Sequence, residues 1–386
     1  GLAGTEEMYW ATSQYEACGG IIVTASHNPI NYNGLKMVKS GSRPLETVNE
    51  LAVIKKTAEE NLFLKSKIRG TIADISLDAR RFYVQKILSF INWAVFYPMK
   101  VVINSGNGAA GPTFDAIDEE LSKLTNALTF ERLHHCPDSD FPNGIPNPLI
   151  KKNQAVNTDK IIETNADFGI AFDGDFDRCF FFDETGAFVP GQYIVGLLAR
   201  VFLEKEPGAR IVHDPRAIWN IREIAQQKGG HSIISRTGHA FIKRTMRKND
   251  AVYGGEMSAH HYFRDFYYSD SGMIPWLLLI QNISNSGQSL SQLVADRVQR
   301  YPISGEINTE VDEPKVLLER IKEHYLPQQP IIDDLDGYSF EFSDWRFNLR
   351  MSNTEPLVRL NVESRGDEKL MNNKTEEILD LIKNLS

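Results

Sequence analysis

Residues 168–182 constrain the fold of this chain more than any other stretch. They read Phe168-Gly169-Ile170-Ala171-Phe172, then Asp173-Gly174-Asp175-Phe176-Asp177-Arg178, then Cys179-Phe180-Phe181-Phe182. Short apolar runs of this kind read as strands. A turn between two strands this apolar must lie at a sheet end. Its three carboxylates at alternate positions converge if the loop curls. Hard oxygen ligands select Mg2+ or Ca2+ over softer metals. An EF-hand register fits in part, with Glu184 at the twelfth position, but Arg178 stands at the sixth, where glycine is needed. The reading is therefore a strand–loop–strand cation site on Asp173, Asp175 and Asp177, open to a phosphate oxygen. The alternative is an acidic, solvated turn.

The order strand, polar loop, helix recurs along the chain. Val101–Asn104 leads into a helix over 112–124, and Arg210–His213 passes through Asp214-Pro215-Arg216 into a helix over 217–228. Ser232–Ile234 leads to Thr237-Gly238-His239, and Ala251–Tyr253 to Gly254–His261. This order predicts α/β architecture. Earlier helices are expected over 45–65 and 77–97, and Thr5 is expected to cap a helix at the start. Beyond residue 300 the order changes to strands over 303–311, 338–342, 346–350 and 357–363, with helices over 313–325 and 367–384. That is an α+β layout. The chain has 386 residues, enough for two to four domains. Gly106, Gly108 and Gly111 spell GxGxxG between a strand and a helix, with Glu131 about 20 residues on, as a dinucleotide site would have it. A tight strand-to-helix turn explains the same glycines. His134 and His135 lie in a long Pro/Asn/Asp loop.

A second chemical centre is expected at Ser26. The run Ile21-Ile22-Val23 reads as a short buried strand, and Thr24–Pro29 as the loop at its carboxyl end, where open α/β sheets place ligands. Ser26 is either a nucleophile or part of a surface turn. His27 is a poor base for it, because neighbours on an extended chain point apart. Glu256, Ser258 and the histidines beside them suit sugar hydroxyls, which need paired donors and acceptors. Arg350, Ser352, Asn353, Thr354 and Arg359 surround a turn between two strands, and guanidinium forks with turn amides make a phosphate grip. A net charge of −9 argues against nucleic acid as the main partner. No apolar run approaches a membrane span; Ile274–Ile280 is typical of the longest. Three scattered cysteines show no metal or disulfide spacing and fit a reducing cytoplasm.

A nucleophile, a hard-metal loop, a hydroxyl-rich turn and a phosphate grip are together what phosphoryl transfer on a sugar phosphate uses. Residues 24–29 (TASHNP), 173–178 (DGDFDR), 255–260 (GEMSAH), 350–356 (RMSNTEP), 237–243 (TGHAFIK) and 142–149 (PNGIPNPL) closely resemble the α-D-phosphohexomutase superfamily, in the family's order. Met257 is similar to its phosphomannomutase and dual phosphomannomutase/phosphoglucomutase branch. The resemblance implies successive α/β domains around a central cleft plus a C-terminal α+β domain, divided at 1–70, 71–187, 188–300 and 301–386. It implies that Ser26 is a phosphoserine and that Asp173, Asp175 and Asp177 hold Mg2+ together with the Ser26 phosphate. Glu256 and Ser258 would contact the sugar, and Arg350, Ser352, Asn353, Thr354 and Arg359 the non-reacting phosphate. Lys36, His239 and His260 would be candidates for proton transfer, with Arg178 near the reacting phosphate. The implied reaction interconverts mannose 6-phosphate and mannose 1-phosphate through a hexose 1,6-bisphosphate, feeding GDP-mannose and surface polysaccharide synthesis. Family members begin well before the segment matching Gly1. An uncovered sheet edge and poor activity or stability are therefore expected of the chain as given, unless an upstream portion exists. Two rival classes are an NAD-dependent oxidoreductase, resting on 106–111, and a non-catalytic sugar-phosphate binder.

Overall fold

The computed structural model describes residues 1–65, 67–352 and 355–385. Four sheets follow one another along the chain. The first is antiparallel, with Gly19–Val23 paired to Leu35–Lys39 and that strand to Arg43–Pro44. Helix Thr5–Gln14 packs on it. Ile21 and Val23 were expected to be buried. Both are 64% exposed, because this sheet has one packed and one open face, as antiparallel sheets can.

The second and third sheets share one plan. Three parallel strands are extended by two antiparallel ones. In the second the order is Leu128–Leu133, Met99–Asn104, Phe168–Phe172, Cys179–Phe182, Phe188–Val189. In the third it is His231–Ile234, Arg210–His213, Tyr253–Gly255, His261–Phe263, Ser269–Asp270. The acidic loop and the Glu256 loop thus occupy the same place in each, between the last parallel strand and its antiparallel neighbour. The fourth sheet is fully antiparallel, in the order Ile307–Glu310, Leu357–Ser364, Trp345–Met351, Tyr338–Glu341, Ile331–Asp333. The largest apolar core runs from Trp10 to Val294 through the first three units, and a separate core joins Val311 to Ile382; smaller clusters around Val102, Val212 and Trp219 lie beside them. Helix Met273–Ser286 is buried continuously from Met273 to Ile280, so its all-apolar sequence reflects a central position. No helix among the described residues is long and apolar enough to cross a membrane.

Several boundaries differ from expectation. The helix expected over 77–97 is Ser76–Leu88. Asn92 caps a short 3-10 turn, Trp93–Val95, and Pro98 disfavours helix just before it. The helix expected over 45–65 is reduced to Ala52–Glu59 after a π-type turn, Thr47–Leu51. Thr5 does not cap its helix. Gly4 does, with its amide donating to Glu7, and the Thr5 hydroxyl goes elsewhere. The strand expected over 303–311 is Ile307–Glu310, preceded by an isolated bridge at Ile303.

Candidate active site

The loop after Gly19–Val23 and the loop after Phe168–Phe172 meet at Ser26. Its hydroxyl donates to Asp173 Oδ2 at 3.0 Å, and its amide donates to Thr24 Oγ1. Gly174 makes this approach possible: a Cβ there would lie 2.2 Å from the Ser26 carbonyl oxygen. Ser26 has φ 54, in the left-handed region. The chain is therefore not extended here, and the expectation that His27 points away fails. His27 Nδ1 lies 3.0 Å from Ser26 Oγ and also meets the Arg178 guanidinium. Burial, and then the Arg178 charge, push the His27 imidazole down to about 3. It is neutral, and its Nδ1 lone pair serves the Arg178 guanidinium, since the one Ser26 hydroxyl proton goes to Asp173.

Asp173, Asp175 and Asp177 are buried, and their oxygens come within 4.8 Å of one another. Arg178 donates Nε to Asp173 at 2.8 Å. Thr5 and Thr24 donate to Asp175 at 2.6 and 3.0 Å. The Lys36 ammonium bridges Asp175 (2.7 Å) and Asp177 (2.5 Å). Burial raises the Asp173 carboxyl to about 6 against the pull of Arg178, with the neighbouring carboxylates adding to the rise. Burial alone would lower Lys36, but the aspartates outweigh it and hold the amine protonated. The buried Asp175 Oδ1 has no hydrogen-bond partner among the described residues, and the Asp177 Oδ1 faces the His260 Nε2 at 3.5 Å. Crowded carboxylates with spare buried oxygens fit a hard divalent cation.

The Glu256 loop closes on the acidic loop. Arg178 and His260 form a β-bridge, and the Cys179 amide donates to Ala259 O. His260 lies 3.5 Å from Asp177 through Nε2 and 3.5 Å from Glu256 through Nδ1. Burial would lower its imidazole, but the hydrogen bond and charge of Asp177, helped by Glu256, raise it. Glu256 is buried and accepts from the Gly238 amide at 2.7 Å and from the Tyr262 hydroxyl. His239 is exposed at the start of helix His239–Asn249, one residue beyond that amide. Ser258 Oγ lies 3.4 Å from Arg216 and 3.2 Å from His260. Arg216 then reaches Glu306, which also binds Arg350 (2.8 Å) and Arg359 (3.3 Å), and Arg359 contacts Ser352. A continuous run of contacts thus joins Ser26, the acidic loop, the sugar-type loop and the arginine grip. Asn353 and Thr354 lie outside the described residues.

The glycines of 106–111 serve this assembly. A Cβ on Gly106 would meet Pro146 at 2.4 Å, one on Gly108 the Gly174 carbonyl at 2.5 Å, and one on Gly111 the His135 carbonyl at 2.0 Å. These glycines let backbone pack against backbone and Pro146, so a tight structural turn accounts for them without a dinucleotide. His135 pairs with Asp115 at 2.9 Å, and Glu184 binds Ser289 and Ser291 at the start of helix Leu290–Arg300. Sequence reasoning missed Thr5, Thr24, Asp214, Arg216 and Glu306. Thr24 carried a signal only as part of 24–29, and Asp214 and Arg216 only as a charged loop at a strand's carboxyl end.

Known families match this chain throughout. Models described as phosphoglucomutase/phosphomannomutase alpha/beta/alpha domains I, II and III match residues 1–63, 81–186 and 190–301, and the C-terminal domain model matches 306–381. A phosphomannomutase of Salmonella montevideo is 53% identical over 99% of this chain and 84% of its own length. A protein of Xanthomonas campestris pv. campestris (strain B100) named phosphohexose mutases is 49% identical over 99% of this chain and 84% of its own. The crystal structure of a phosphoglucomutase/phosphomannomutase family protein from Burkholderia thailandensis superposes with a TM-score of 0.84 at 25% identity, covering 99% of this chain and 81% of that one.

Proposed function

Because the chain belongs to the phosphoglucomutase/phosphomannomutase family, we propose that the loops around Ser26 interconvert mannose 6-phosphate and mannose 1-phosphate by way of a phosphoserine. It is a phosphohexomutase, an enzyme that relocates a phosphoryl group on a hexose. The observation that carries the reading is Ser26 Oγ, 3.0 Å from the first of three buried, clustered carboxylates.

Ser26 carries the phosphoryl group in the resting enzyme. The free hydroxyl of the hexose phosphate attacks that phosphorus, the Ser26 Oγ–P bond breaks, and a sugar O–P bond forms. The hydroxyl proton passes to His260, made a stronger base by Asp177 and Glu256, and the departing Ser26 oxygen takes up one proton from Lys36, which regains it as the second phosphate returns to Ser26. Lys36 and Arg178 balance charge at the carboxylates and the reacting phosphate, and His239 stands at the sugar end as a second proton-transfer candidate. Glu256 and Ser258 orient the sugar hydroxyls; each Glu256 oxygen, with one bond accepted, keeps a second lone pair for them. Arg350, Ser352, Asn353, Thr354 and Arg359 hold the other phosphate. The resulting hexose 1,6-bisphosphate turns round, and its second phosphate returns to Ser26. Asp173, Asp175 and Asp177, with the Ser26 phosphate, would hold Mg2+, which supplies charge stabilisation at the transferring phosphoryl oxygens.

Dual action on mannose and glucose phosphates is the second reading, because the relatives at 53% and 49% identity carry a narrow and a broad name. We place the unit boundaries at 1–70, 71–187, 188–300 and 301–386, and the enzyme in the cytoplasm, where mannose 1-phosphate would feed GDP-mannose and surface polysaccharide synthesis. A coupled assay on both 1-phosphates with activator bisphosphate tests the function. Turnover of mannose 1-phosphate is expected, even if slow, and a chain that takes phosphate from the bisphosphate yet never delivers it to mannose 1-phosphate refutes the reading. Chelation is expected to abolish turnover and added Mg2+ to restore it; a rate indifferent to chelation removes the metal.

A further inference from the structure

Arg350 and Arg359 are direct partners on adjacent strands of the fourth sheet. Like charges placed opposite one another destabilise a sheet. What separates them here is one carboxylate. Glu306, just before strand Ile307–Glu310, receives Arg350 Nη2 at 2.8 Å, Arg359 Nη1 at 3.3 Å and Arg216 Nη1 at 3.2 Å. Arg216 is already held by Asp214 through Nε at 3.0 Å and Nη2 at 2.8 Å. Three guanidinium groups face the Glu306 and Asp214 carboxylates, and exposed Glu355 lies 3.8 Å from Arg359, so while Glu306 stays in place the cluster keeps little net positive charge for a phosphate dianion. The buried Nε atoms of Arg350 and Arg359 have no hydrogen-bond partner among the described residues. Glu306 differs from the other carboxylate in its freedom. Its side chain is 22% exposed and follows Gly305 at φ 73, whereas Asp214 is 3% exposed.

We propose that Glu306 is an exchangeable internal counter-ion, a positioning residue that holds the three arginines together while the grip is empty and yields its place to the substrate's non-reacting phosphate. The phosphate takes the forks Glu306 vacates, and the carboxylate turns to solvent about Gly305. When the phosphate must leave, Glu306 is at hand to replace it, so the arginines never face one another uncompensated. This lowers affinity and speeds release. The release step rests on the mutase reading above, in which a bisphosphate must let go of the grip and return reversed. The exchange itself does not rest on it.

The test is calorimetric titration of inorganic phosphate into the full chain and into Glu306→Gln, with steady-state kinetics of both. The expected result is phosphate binding tighter by about tenfold in Glu306→Gln, as removal of a competing charge requires. KM and kcat should both fall, since release slows. Glu306→Asp, which keeps the charge, should bind phosphate as weakly as the parent. A purely structural Glu306 gives the opposite, weaker phosphate binding and a raised KM, and that result or an unchanged affinity overturns the proposal. Should Glu306→Gln fail to fold, a phosphate-soaked crystal of the unaltered chain decides: Glu306 beyond about 4 Å from both arginines supports exchange, and Glu306 retained on both overturns it. Tighter phosphate binding without any mutase turnover would uphold the exchange and refute the mutase reading alone.

Discussion

Asp214 touches neither Ser26 nor the acidic loop, yet two walls of the site hang on it. It accepts three hydrogen bonds from Arg216 and one from the Met257 amide. Burial by itself would raise this carboxyl; the charge and hydrogen bonds of Arg216 reverse that and hold it at about 2, below the ordinary 3.8. A depressed carboxyl contributes stability that is present above the unfolded pKa and lost as pH falls through the folded one. The contribution, about 2 kcal/mol, should therefore be intact above pH 4 and disappear toward pH 2. Denaturant unfolding of Asp214→Asn should show a stability gap from the parent at pH 6 that closes by pH 2. A gap that stays constant across that range would contradict the account. Asp214 and Arg216 were legible in the sequence only as a charged loop, because the Met257 amide and Glu306 that tie them to the rest of the site arrive from distant elements. The acidic trio was legible because its members share one short loop and need only a bend to meet. His27 was misjudged for a local reason, the left-handed φ of Ser26, which no residue type at that position announces.

At the scale of elements, the site is a stack of three loops made possible by missing side chains. The Gly106–Gly111 turn rests on Gly174, and Gly174 rests on the Ser26 carbonyl. The glycine spacing was visible in the sequence, but its purpose was not. The same pattern that lets backbone approach a pyrophosphate also lets backbone approach backbone. Gly108→Ala would drive a Cβ to 2.5 Å from the Gly174 carbonyl and 2.9 Å from its Cα, so one loop must move. A stability loss of about 1–3 kcal/mol is expected, with a kcat loss on the order of tenfold or more from displaced reacting groups. Melting and turnover measured together check this; an active, unshifted variant would show that the stack does not position Ser26. The alternation of strands and helices was legible because apolar runs and turn residues mark it. The antiparallel ends of the second and third sheets were not, since apolar strands read alike in either direction.

The molecule as a whole is divided by its cores rather than by its sheets. The largest core spans the first three units, with smaller clusters on the far faces of the second and third, and the last unit has its own. The fourth sheet is pinned to the third unit by Arg346, which donates to Glu363 and to the Pro215 and Arg216 carbonyls, while Glu363 receives the Ile218 and Trp219 amides. Calorimetry should resolve two transitions. Arg346→Ala, which leaves Glu363 buried without its partner, should destabilise the last unit by about 3–5 kcal/mol. One unshifted transition in both proteins would refute separate cores. These units converge on Ser26, the residue proposed above to carry the phosphate. Intact-mass measurement after incubation with hexose 1,6-bisphosphate tests that proposal most directly. A gain of one phosphate is expected in the parent chain and none in Ser26→Ala, with mutase turnover lost alongside. A Ser26→Ala chain that still takes up the phosphate, or still turns over, would contradict it.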